Sequence, residues 1–297
     1  MIKSLDKLVV IGVGLIGGSF ALALRQAGQV SHITGIGRSR QNLQRAIELG
    51  IIDDYTNDFP KALSGADFVL LATPVGQNAR ILQQIAPHLE EHTIVSDVGS
   101  TKQNVISTAR EHLGNHLRLF IPAHPIAGTE FSGAGAADPA LFKNKPVILT
   151  PLPENHSAAI DQVAFLWQQC GAVVSSMTPA QHDQVLAAIS HLPHLLAFAL
   201  MNHISMVSGD QAMANLQLAG TSLIDMTRIA GSSPGMWRDI CLDNRDVLID
   251  QITAYQHLLT NLQDLLCQSN HAALEQFFTQ ARDTRHQWQA TRKPAAK

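Results

Sequence analysis

The sequence predicts an α/β fold in two parts: a doubly wound parallel sheet over residues 1–177, then an all-helical part over residues 178–297. Two observations predict this division. Up to Met177, short apolar runs rich in Val and Ile alternate with amphipathic stretches, whereas beyond it apolar residues recur only at helical spacing. Thr178 and Pro179 suit the start of the helical part, because Thr caps helices and Pro fits their first turn.

Seven runs have the length and the β-branched composition of strands that are buried on both faces of a parallel sheet. They are residues 8–11, 33–36, 67–72, 93–97, 119–123, 146–149 and 172–175. Helices are predicted between several of these strands, at residues 17–27, 41–49 and 102–111. Four longer helical stretches make up the second part, at residues 179–208, 211–229, 234–269 and 271–288.

Composition narrows the class of partner. The net charge of the chain is -3, so it offers no general positive field to nucleic acid. Its three cysteines are far apart and form no Cys-x-x-Cys pair, which argues against a disulfide framework and a thiolate zinc site. From the sequence we expect no leader segment and no apolar run long enough to span a bilayer. We therefore expect a cytoplasmic protein whose partners are small molecules or a second copy of the chain.

A glycine-rich loop follows the first predicted strand and opens the first predicted helix. It reads Gly12-Val13-Gly14-Leu15-Ile16-Gly17. In this pattern the first glycine permits a tight turn, the second lets the backbone approach a pyrophosphate, and the third lets helix and strand lie close together. The free N–H groups and the dipole of the helix start then face the phosphates. The loop therefore predicts a dinucleotide site of Rossmann type, and a glycine turn without a ligand is the alternative.

The end of the second predicted strand bears on which dinucleotide binds. NAD enzymes usually place Asp or Glu there for the ribose 2′-OH, but this chain has Gly37-Arg38-Ser39-Arg40. Two guanidinium groups and a hydroxyl suit a 2′-phosphate, so NADP is favoured and NAD remains possible. The alternative is that both arginines are solvated charges at a helix start. Thr73 and Pro74, just past the third predicted strand, complete the predicted cofactor contacts.

Four further segments are hard to explain by packing alone. Residues 97–102 (Asp-Val-Gly-Ser-Thr-Lys) and 123–130 (Ala-His-Pro-Ile-Ala-Gly-Thr-Glu) each follow a predicted strand, at the sheet edge where such folds place ligands. Residues 190–194 (Ser-His-Leu-Pro-His) and 225–230 (Asp-Met-Thr-Arg-Ile-Ala) lie in the helical part. Together with the glycine loop, these segments closely resemble the prephenate/arogenate dehydrogenase family of tyrosine biosynthesis, and the resemblance extends from residue 8 to about residue 286.

The resemblance implies an oxidative decarboxylation, in which hydride leaves ring carbon 4 for the nicotinamide and the ring carboxylate leaves as CO2. It assigns the base for the ring hydroxyl to His124, since an imidazole accepts protons well near neutral pH. A histidine that merely caps a strand is the alternative. Ser100 matches the serine that hydrogen-bonds this histidine or the substrate hydroxyl, although it can also cap the next helix. Prephenate and arogenate, which differ in a keto or amino group, stay undistinguished.

The same resemblance implies the substrate contacts. Arg228 matches the arginine that holds a substrate carboxylate, and a helical salt bridge to Asp225 is the alternative. The other implied contacts, some of which can instead be core residues, are Thr129, Glu130, His182, His191, His194 and Trp237. No metal site is predicted. His182 and His191 would point to opposite sides of a continuous helix, and His191 with His194 would lack a third ligand.

Two rival functions remain open. A hydroxy-acid or imine dehydrogenase of similar architecture typically uses a lysine in the helical part, and this chain has none between Lys145 and Lys293. A non-catalytic NADP-sensing protein would keep the glycine loop but would have no use for His124, Ser100 and Arg228 together. In the resembling family the helices of two subunits pair, so the all-helical part is expected to be a dimerisation domain and the protein a homodimer.

Overall fold

The structure is a computed structural model, which describes residues 4–129 and 131–291. The chain forms two compact units that meet in sequence between Val247 and Leu248. Strand residues occur only in the first of these units, within the described part of the chain. The boundary predicted at Met177 follows a different property, the change from strands to helices, and it stays a prediction.

Six parallel strands form the main sheet in the order β3-β2-β1-β4-β5-β6. They are β1 Leu5–Ile11, β2 Val30–Ile36, β3 Asp54–Tyr55, β4 Phe68–Leu71, β5 Ile94–Asp97 and β6 Phe120–Ile121. The helices of this half are α1 Leu15–Gln26, α2 Arg40–Glu48, α3 Phe59–Leu63, α4 Asn78–Ile85, α5 Gln103–Leu113 and α6 Ser157–Gln169. The predicted α/β architecture is confirmed, and only β3, with two residues, was too short to leave a pattern in the sequence.

The main sheet has a hydrophobic core on each face. Successive side chains of a strand point to opposite faces, and in β1 Leu8 joins one buried cluster whereas Val9 joins the other. Burial on both faces explains why the strand is a continuous apolar run rather than an alternating one. Helices therefore cover both sides of the sheet, which leaves its edges as the places where a ligand can approach the strands.

The carboxyl ends of the central strands coincide at one of these edges. Ile11 at the end of β1 pairs with Ile36 of β2 and with Leu71 of β4, and Leu71 pairs with Asp97 of β5. Because the four strands end at the same level, the loops that follow them lie side by side. This is the edge at which doubly wound sheets bind their ligands.

A second sheet contains three strands, β7 Ala123–Pro125, β8 Pro146–Leu149 and β9 Val173–Ser176, in the order β7-β8-β9. The predicted single strand over residues 119–123 is wrong. It is split between β6 and β7 at Pro122, which has no N–H to give to a sheet ladder. The placement of the last two predicted strands in the doubly wound sheet is also wrong, since they form β8 and β9, and β7 pairs with β8 in the antiparallel sense.

Only helices follow β9 in the part of the chain that the structure describes. They are α7 Pro179–Leu186, α8 Leu192–Ser208, α9 Ala212–Leu216, α10 Thr221–Thr227, α11 Pro234–Asp243, α12 Arg245–Cys267 and α13 His271–Thr291. The predicted cap at Thr178 is confirmed: its hydroxyl accepts from the N–H of Gln181, and the Gln181 side chain binds the N–H of Thr178 in return. A π-helical turn, Ala187–His191, joins α7 to α8 without a break.

One helical stretch is long and apolar enough to cross a membrane. Pro179–Leu216 is continuous over 38 residues, and its most apolar window of 18 residues has a mean hydropathy of 1.5 and is 28% buried. The expectation that the chain holds no apolar run of this length is therefore wrong. Length and composition do not by themselves identify a membrane span, because the same features suit a helix that packs against other helices. The stretch also contains three polar side chains that are fully buried, those of His182, Asp183 and His191.

Candidate active site

The glycine loop joins β1 to α1 with a geometry that requires glycine at two positions. Gly12 has a φ of +103°, in the region that favours glycine. A Cβ on Gly17 would collide with the carbonyl oxygen of Gly12 and lie 2.9 Å from the Cβ of Ala72. A Cβ on Gly14 would meet no atom within 4 Å, so the loop is open directly before the N-terminus of α1. These residues fit a dinucleotide pyrophosphate, which needs close backbone approach and unpaired N–H groups.

Arg38, Ser39 and Arg40 lie just past β2, at the same edge of the sheet, and all three are exposed. Ser39 is the N-cap residue of α2, and its hydroxyl accepts from the N–H of Asn42 at 3.2 Å. The serine therefore has a structural role of its own. Neither arginine forms an ion pair with another residue of the described chain, so both guanidinium groups are available to an anion.

The other predicted cofactor residues lie around the same opening. Leu15 and Ile16 form the first turn of α1 and are partly buried. Thr73 and Pro74 follow β4, and the buried hydroxyl oxygen of Thr73 has no hydrogen-bond partner among the described residues. A buried hydroxyl without a partner is costly, and a ligand bound at this edge would satisfy it.

Three side chains form a buried hydrogen-bond chain near the carboxyl end of β5. Nδ1 of His124 lies 2.8 Å from Nε2 of His182, and Nδ1 of His182 lies 2.8 Å from Oδ1 of Asp183. The Asp183 carboxylate also accepts from two main-chain N–H groups at the start of α5, those of Lys102 at 2.8 Å and Gln103 at 2.9 Å. Strand β7 and helices α5 and α7 therefore meet at one carboxylate.

The positions of the protons along the hydrogen-bond chain His124–His182–Asp183 can be assigned by starting from the Asp183 carboxylate. Burial alone would raise the pKa of Asp183, but hydrogen bonds from His182 and from the α5 main chain lower it, so the carboxylate only accepts. His182 then donates from Nδ1 and accepts at Nε2, which makes His124 donate from Nδ1. Nε2 of His124 is left without a proton. Burial, with the proximity of His182 and Lys102, holds the pKa of His124 well below its usual 6.5, so the ring is neutral at pH 7.

A buried ion pair fixes the backbone directly before His124. Lys102 and Asp97 are both fully buried, and Nζ lies 2.5 Å from Oδ2 of Asp97. Nζ also donates to the carbonyl of Ala123 at 2.7 Å, while Oδ1 of Asp97 accepts from the N–H of Ala123 at 3.3 Å. One ion pair therefore binds both polar main-chain groups of the residue that precedes His124. Breaking such a pair is costly, because the remaining charge is stranded in the core.

Ser100 lies in the loop between β5 and α5 and is partly buried. The alternative that it caps α5 is wrong, since the N-cap residue is Lys102 and the N–H groups at the start of this helix are bound by Asp183. Nδ1 of His124 is bound by His182, so that nitrogen is not available to Ser100. A hydrogen bond from Ser100 to the substrate hydroxyl stays a prediction.

His191 enters the site from the end of the π-helical turn. Burial lowers the pKa of His191 to about 4, so its ring is neutral at pH 7. Nδ2 of Asn244 lies 3.2 Å from Nδ1 of His191 and donates to the carbonyl of Asp183 at 2.8 Å. Nε2 of His191 is buried and has no hydrogen-bond partner among the described residues.

His194 lies one turn further along and stacks on Trp237, with ring centroids 3.8 Å apart and an angle of 21° between the planes. Burial lowers the pKa of His194, and the charge of Arg228 lowers it further, which places Arg228 near this stack. Arg228 itself is exposed. Within the described residues it forms no ion pair with Asp225, so the helical salt bridge that was the alternative is not made. Its guanidinium is therefore free to bind a carboxylate.

The expectation that His182 and His191 face opposite sides of their helix is wrong. A regular α-helix would place them so, but the π-helical turn between them is wider and shifts the phase of the next helix, α8. Both rings are buried, and Asn244 binds the carbonyl of Asp183 and the ring of His191 together. No three His, Cys, Asp or Glu side chains within residues 4–129 and 131–291 are grouped so as to hold a metal ion.

Thr129 lies in the loop after β7, where its hydroxyl accepts from the N–H of Phe131 at 3.2 Å. Thr129, Phe131 and Leu15 are among the residues that line an open cavity of about 590 Å³. Thr129 therefore faces the same space as the start of α1. Glu130, the other predicted contact of this loop, lies outside the described residues.

Three residues of the site had no role assigned from the sequence: Asp183, Lys102 and Asn244. Asp183 directly follows His182 in an otherwise apolar helical stretch, and that isolated charge is a signal that could have been used. Lys102 ends the 97–102 segment, but nothing local shows that it is fully buried. Asn244 lies between α11 and α12 and gives no signal at all in the sequence.

Comparisons with known proteins agree over nearly the whole chain. Two family models match it, "Prephenate dehydrogenase, nucleotide-binding domain" over residues 20–176 and "Prephenate dehydrogenase, dimerization domain" over residues 178–280. The chain is 35% identical to the prephenate dehydrogenase of Bacillus subtilis over 281 residues, which is 94% of this chain and 75% of that protein.

Two solved structures are similar along their full length. The prephenate dehydrogenase of Aquifex aeolicus, in complex with hydroxyphenyl propionate and NAD+, has a TM-score of 0.91 and 33% identity, with 97% of this chain and 99% of that chain covered. Synechocystis arogenate dehydrogenase has a TM-score of 0.80 and 29% identity, with 95% and 99% covered.

Proposed function

This chain belongs to the prephenate dehydrogenase family, and we propose that it uses His124 as the base in the oxidative decarboxylation of prephenate or arogenate. The reaction transfers hydride to NAD(P) and forms 4-hydroxyphenylpyruvate or tyrosine. One observation supports the choice of base. The hydrogen-bond chain from Asp183 through His182 leaves Nε2 of His124 without a proton in a neutral ring. That is the form of an imidazole that accepts a proton.

In this mechanism His124 takes the proton of the ring hydroxyl at Nε2 as the C4–H bond breaks. The nicotinamide cofactor, when bound, accepts the hydride from C4. The bond from C1 to the ring carboxylate then breaks and CO2 leaves. The electron pair of that bond stays with the ring and makes it aromatic. The proton returns from His124 to the phenolate oxygen, so atoms and charge balance. While His124 is protonated, the negative charge of Asp183, which is hydrogen-bonded to the intervening His182, stabilises the imidazolium.

We assign the binding of a substrate carboxylate to Arg228. Its guanidinium is exposed, lies near the His194–Trp237 stack, and has no competing ion pair in the described chain. A planar guanidinium binds a carboxylate through two parallel hydrogen bonds, which orients the substrate as well as holding it. The stacked rings offer a flat wall beside this charge.

NADP is the cofactor that we propose. The support is the pair of exposed arginines, Arg38 and Arg40, at the point where an NAD enzyme usually carries an acidic residue. We expect Arg38→Asp to lower the ratio of kcat/KM for NADP to that for NAD by roughly tenfold to a hundredfold, the value of a lost charge-assisted hydrogen bond. Arg45→Asp is the matched control, since Arg45 lies on α2, the helix that follows Arg38, but pairs with Glu48. An unchanged ratio in the Arg38 variant would remove the assignment.

A homodimer in the cytoplasm completes the proposal. Its support is the matched dimerization domain and the exposed apolar side chains of the helical part, such as Met206, Leu218 and Met226. When such side chains form a contiguous apolar patch, that patch usually marks an interaction surface. Sedimentation equilibrium tests the assembly: a dimer is expected, and a species of one chain at micromolar concentration would contradict it.

The activity is tested by absorbance at 340 nm with the four combinations of prephenate or arogenate with NAD or NADP. Turnover with at least one combination is expected, and the ratios of kcat/KM identify the preferred substrate and cofactor. His124→Asn should keep cofactor affinity and lose roughly a hundredfold to ten-thousandfold in kcat. His88→Asn is the control, because His88 is exposed and lies away from the carboxyl edge of the sheet. Full turnover of His124→Asn would exclude His124 as the base.

A further inference from the structure

We propose that Asn244 is a positioning residue that fixes the tautomer of His191, so that Nε2 of His191 presents an N–H donor to a carbonyl or carboxylate oxygen of a bound ligand. The oxygen belongs either to the substrate or to the carboxamide of the nicotinamide. This inference rests on the proposed function, because it adds a hydrogen-bond donor to the same site. The donor assignment depends on the two hydrogens of Nδ2 of Asn244 and on two buried ring nitrogens, Nε2 of His191 and Nε1 of Trp237, that lack a hydrogen-bond partner among the described residues.

The amide of Asn244 can be oriented in only one way. Nδ2 lies 2.8 Å from the carbonyl oxygen of Asp183, which is an acceptor, so this contact uses one of the two hydrogens of Nδ2. The second contact of Nδ2, 3.2 Å from Nδ1 of His191, uses the other hydrogen. Rotating the amide by 180° would set its oxygen against the oxygen of Asp183. Nδ1 of His191 is therefore an acceptor, and the ring carries its proton on Nε2.

Because the Nε2–H group of His191 is buried, a bound ligand can supply the acceptor that this donor needs. His191 is 1% exposed, and its Nε2–H makes no hydrogen bond of good geometry with the described residues, although the main chain of Ser100 is close enough to raise the pKa of the ring. Nε1–H of Trp237 is also buried without a partner, and the two rings meet edge to face with centroids 6.1 Å apart. Two neighbouring buried donors without an acceptor are costly alone, and an oxygen of a ligand between them removes that cost.

Burial, more than the charge of its neighbours, keeps His191 neutral. Burial lowers the pKa of His191 to about 4; Asp183 and the main chain of Ser100 act in the opposite direction, and His182 and His194 add to the effect of burial. At pH 7 the ring is therefore an uncharged donor. A neutral donor suits a ketone or carboxamide oxygen as well as a carboxylate, because it adds no charge to the site that the ligand would have to balance.

The test is the ring 15N spectrum of the full-length protein labelled with 15N-histidine, in which the shifts of Nδ1 and Nε2 report which nitrogen is protonated. The His191 signals are assigned by their loss in His191→Gln. At pH 7 the wild-type ring is expected to be neutral with the proton on Nε2, and to stay so down to about pH 5. A proton on Nδ1, or on both nitrogens, in the wild-type protein would overturn the proposal without any variant of Asn244.

Asn244→Asp then tests causation, because it keeps the shape of the side chain but replaces the donor by an acceptor. We expect Nδ1 of His191 to become protonated and kcat/KM to fall roughly tenfold to a hundredfold. Asn104→Asp is the matched control: Asn104 also donates from Nδ2 to a main-chain carbonyl, that of Asp243, but makes no hydrogen bond to a histidine among the described residues. An unchanged His191 tautomer in folded Asn244→Asp would refute the role of Asn244.

Kinetics with the same variants identify the source of the oxygen. A rise in KM for prephenate or arogenate alone assigns it to the substrate, whereas a rise in KM for the dinucleotide assigns it to the carboxamide. If Asn244→Asp does not fold, the wild-type 15N spectra with and without NADP, and with NADP plus 4-hydroxyphenylpyruvate, still decide, since the Nε2 signal should shift with one ligand. No shift with either would contradict the proposal. These spectra need no turnover, so their outcome is independent of the proposed reaction.

Discussion

The buried pair formed by Lys102 and Asp97 allows the effect of one substitution on stability to be worked out. Lys102→Met keeps the length of the side chain and removes the ammonium group. The Asp97 carboxylate, fully buried, then loses its counter-ion, and the carbonyl of Ala123 loses a donor at 2.7 Å. A stranded charge of this kind is relieved when the carboxylate takes up a proton.

The magnitude is set by the cost of that proton. At pH 7 it is about 1.4 kcal/mol for each pH unit above the usual aspartate pKa of about 3.9, or about 4 kcal/mol in all. The unsatisfied carbonyl adds about 1–3 kcal/mol. The sum is a large part of the roughly 5–15 kcal/mol that stabilises an ordinary domain. At pH 5 the cost of the proton falls to about 1.5 kcal/mol, so the variant recovers about 2.7 kcal/mol relative to the wild type between pH 7 and pH 5.

Urea unfolding of both proteins at pH 5, 6 and 7 measures this difference, and comparison with the wild type cancels the titration of groups that the two proteins share. The double variant Lys102→Met, Asp97→Asn is the control, because it has no charge to strand and should show little dependence of the difference on pH. A loss below about 1 kcal/mol at pH 7, or a loss that does not shrink toward pH 5, would show that the ion pair does not hold the strand before His124.

Three further predictions concern other parts of the site. The lowered pKa of Asp183 adds stability that is fully present above about pH 4 and is lost as pH falls through the folded-state value, so Asp183→Asn should flatten acid unfolding below pH 4; an unaltered acid limb would contradict this. Arg228→Lys should raise KM for the substrate roughly tenfold with little change in kcat, since an ammonium cannot bind both carboxylate oxygens; an unchanged KM would exclude Arg228 as the clamp. Gly14→Ala should leave urea stability unchanged and weaken dinucleotide binding in a fluorescence titration, whereas Gly17→Ala should lose about 1–3 kcal/mol through the collision with Gly12; equal effects in both would contradict the assignment of the loop.

The parts of the fold that were predicted from the sequence are those governed by local chemistry. The glycine loop was predictable because the tight turn at Gly12 and the crowded helix crossing at Gly17 each require a missing Cβ within six residues. The strands of the main sheet were predictable because burial on both faces demands continuous apolar runs. The division of residues 119–123 into β6 and β7 depends on Pro122, whose missing N–H interrupts the strand although the apolar run itself is continuous.

The parts that were missed depend on contacts between distant segments. The Asp183 carboxylate binds the main chain 81 residues earlier, at Lys102, and no periodicity or spacing within one segment reports such a contact. The role of Asn244 likewise arises only when the end of α11 lies against α7 and the π-helical turn. Residue types at a site can be recognised from a motif, but the protonation states of its histidines depend on partners that only the folded chain brings together.

The π-helical turn also constrains how the length of this chain can change. Deleting one residue from it, such as Ala188, would restore a regular α-helix and rotate α8 by about 100° relative to α7. His182 and Asp183 would keep their places, while His191 and His194 would turn away from Asn244 and Trp237. Each side chain would still be present, but the hydrogen-bond chain from Asp183 to His124 would no longer lie beside the stacked rings of His194 and Trp237. We therefore expect relatives that retain His182, His191 and His194 to keep the same number of residues between these histidines. Insertions in this family should fall outside residues 183–191.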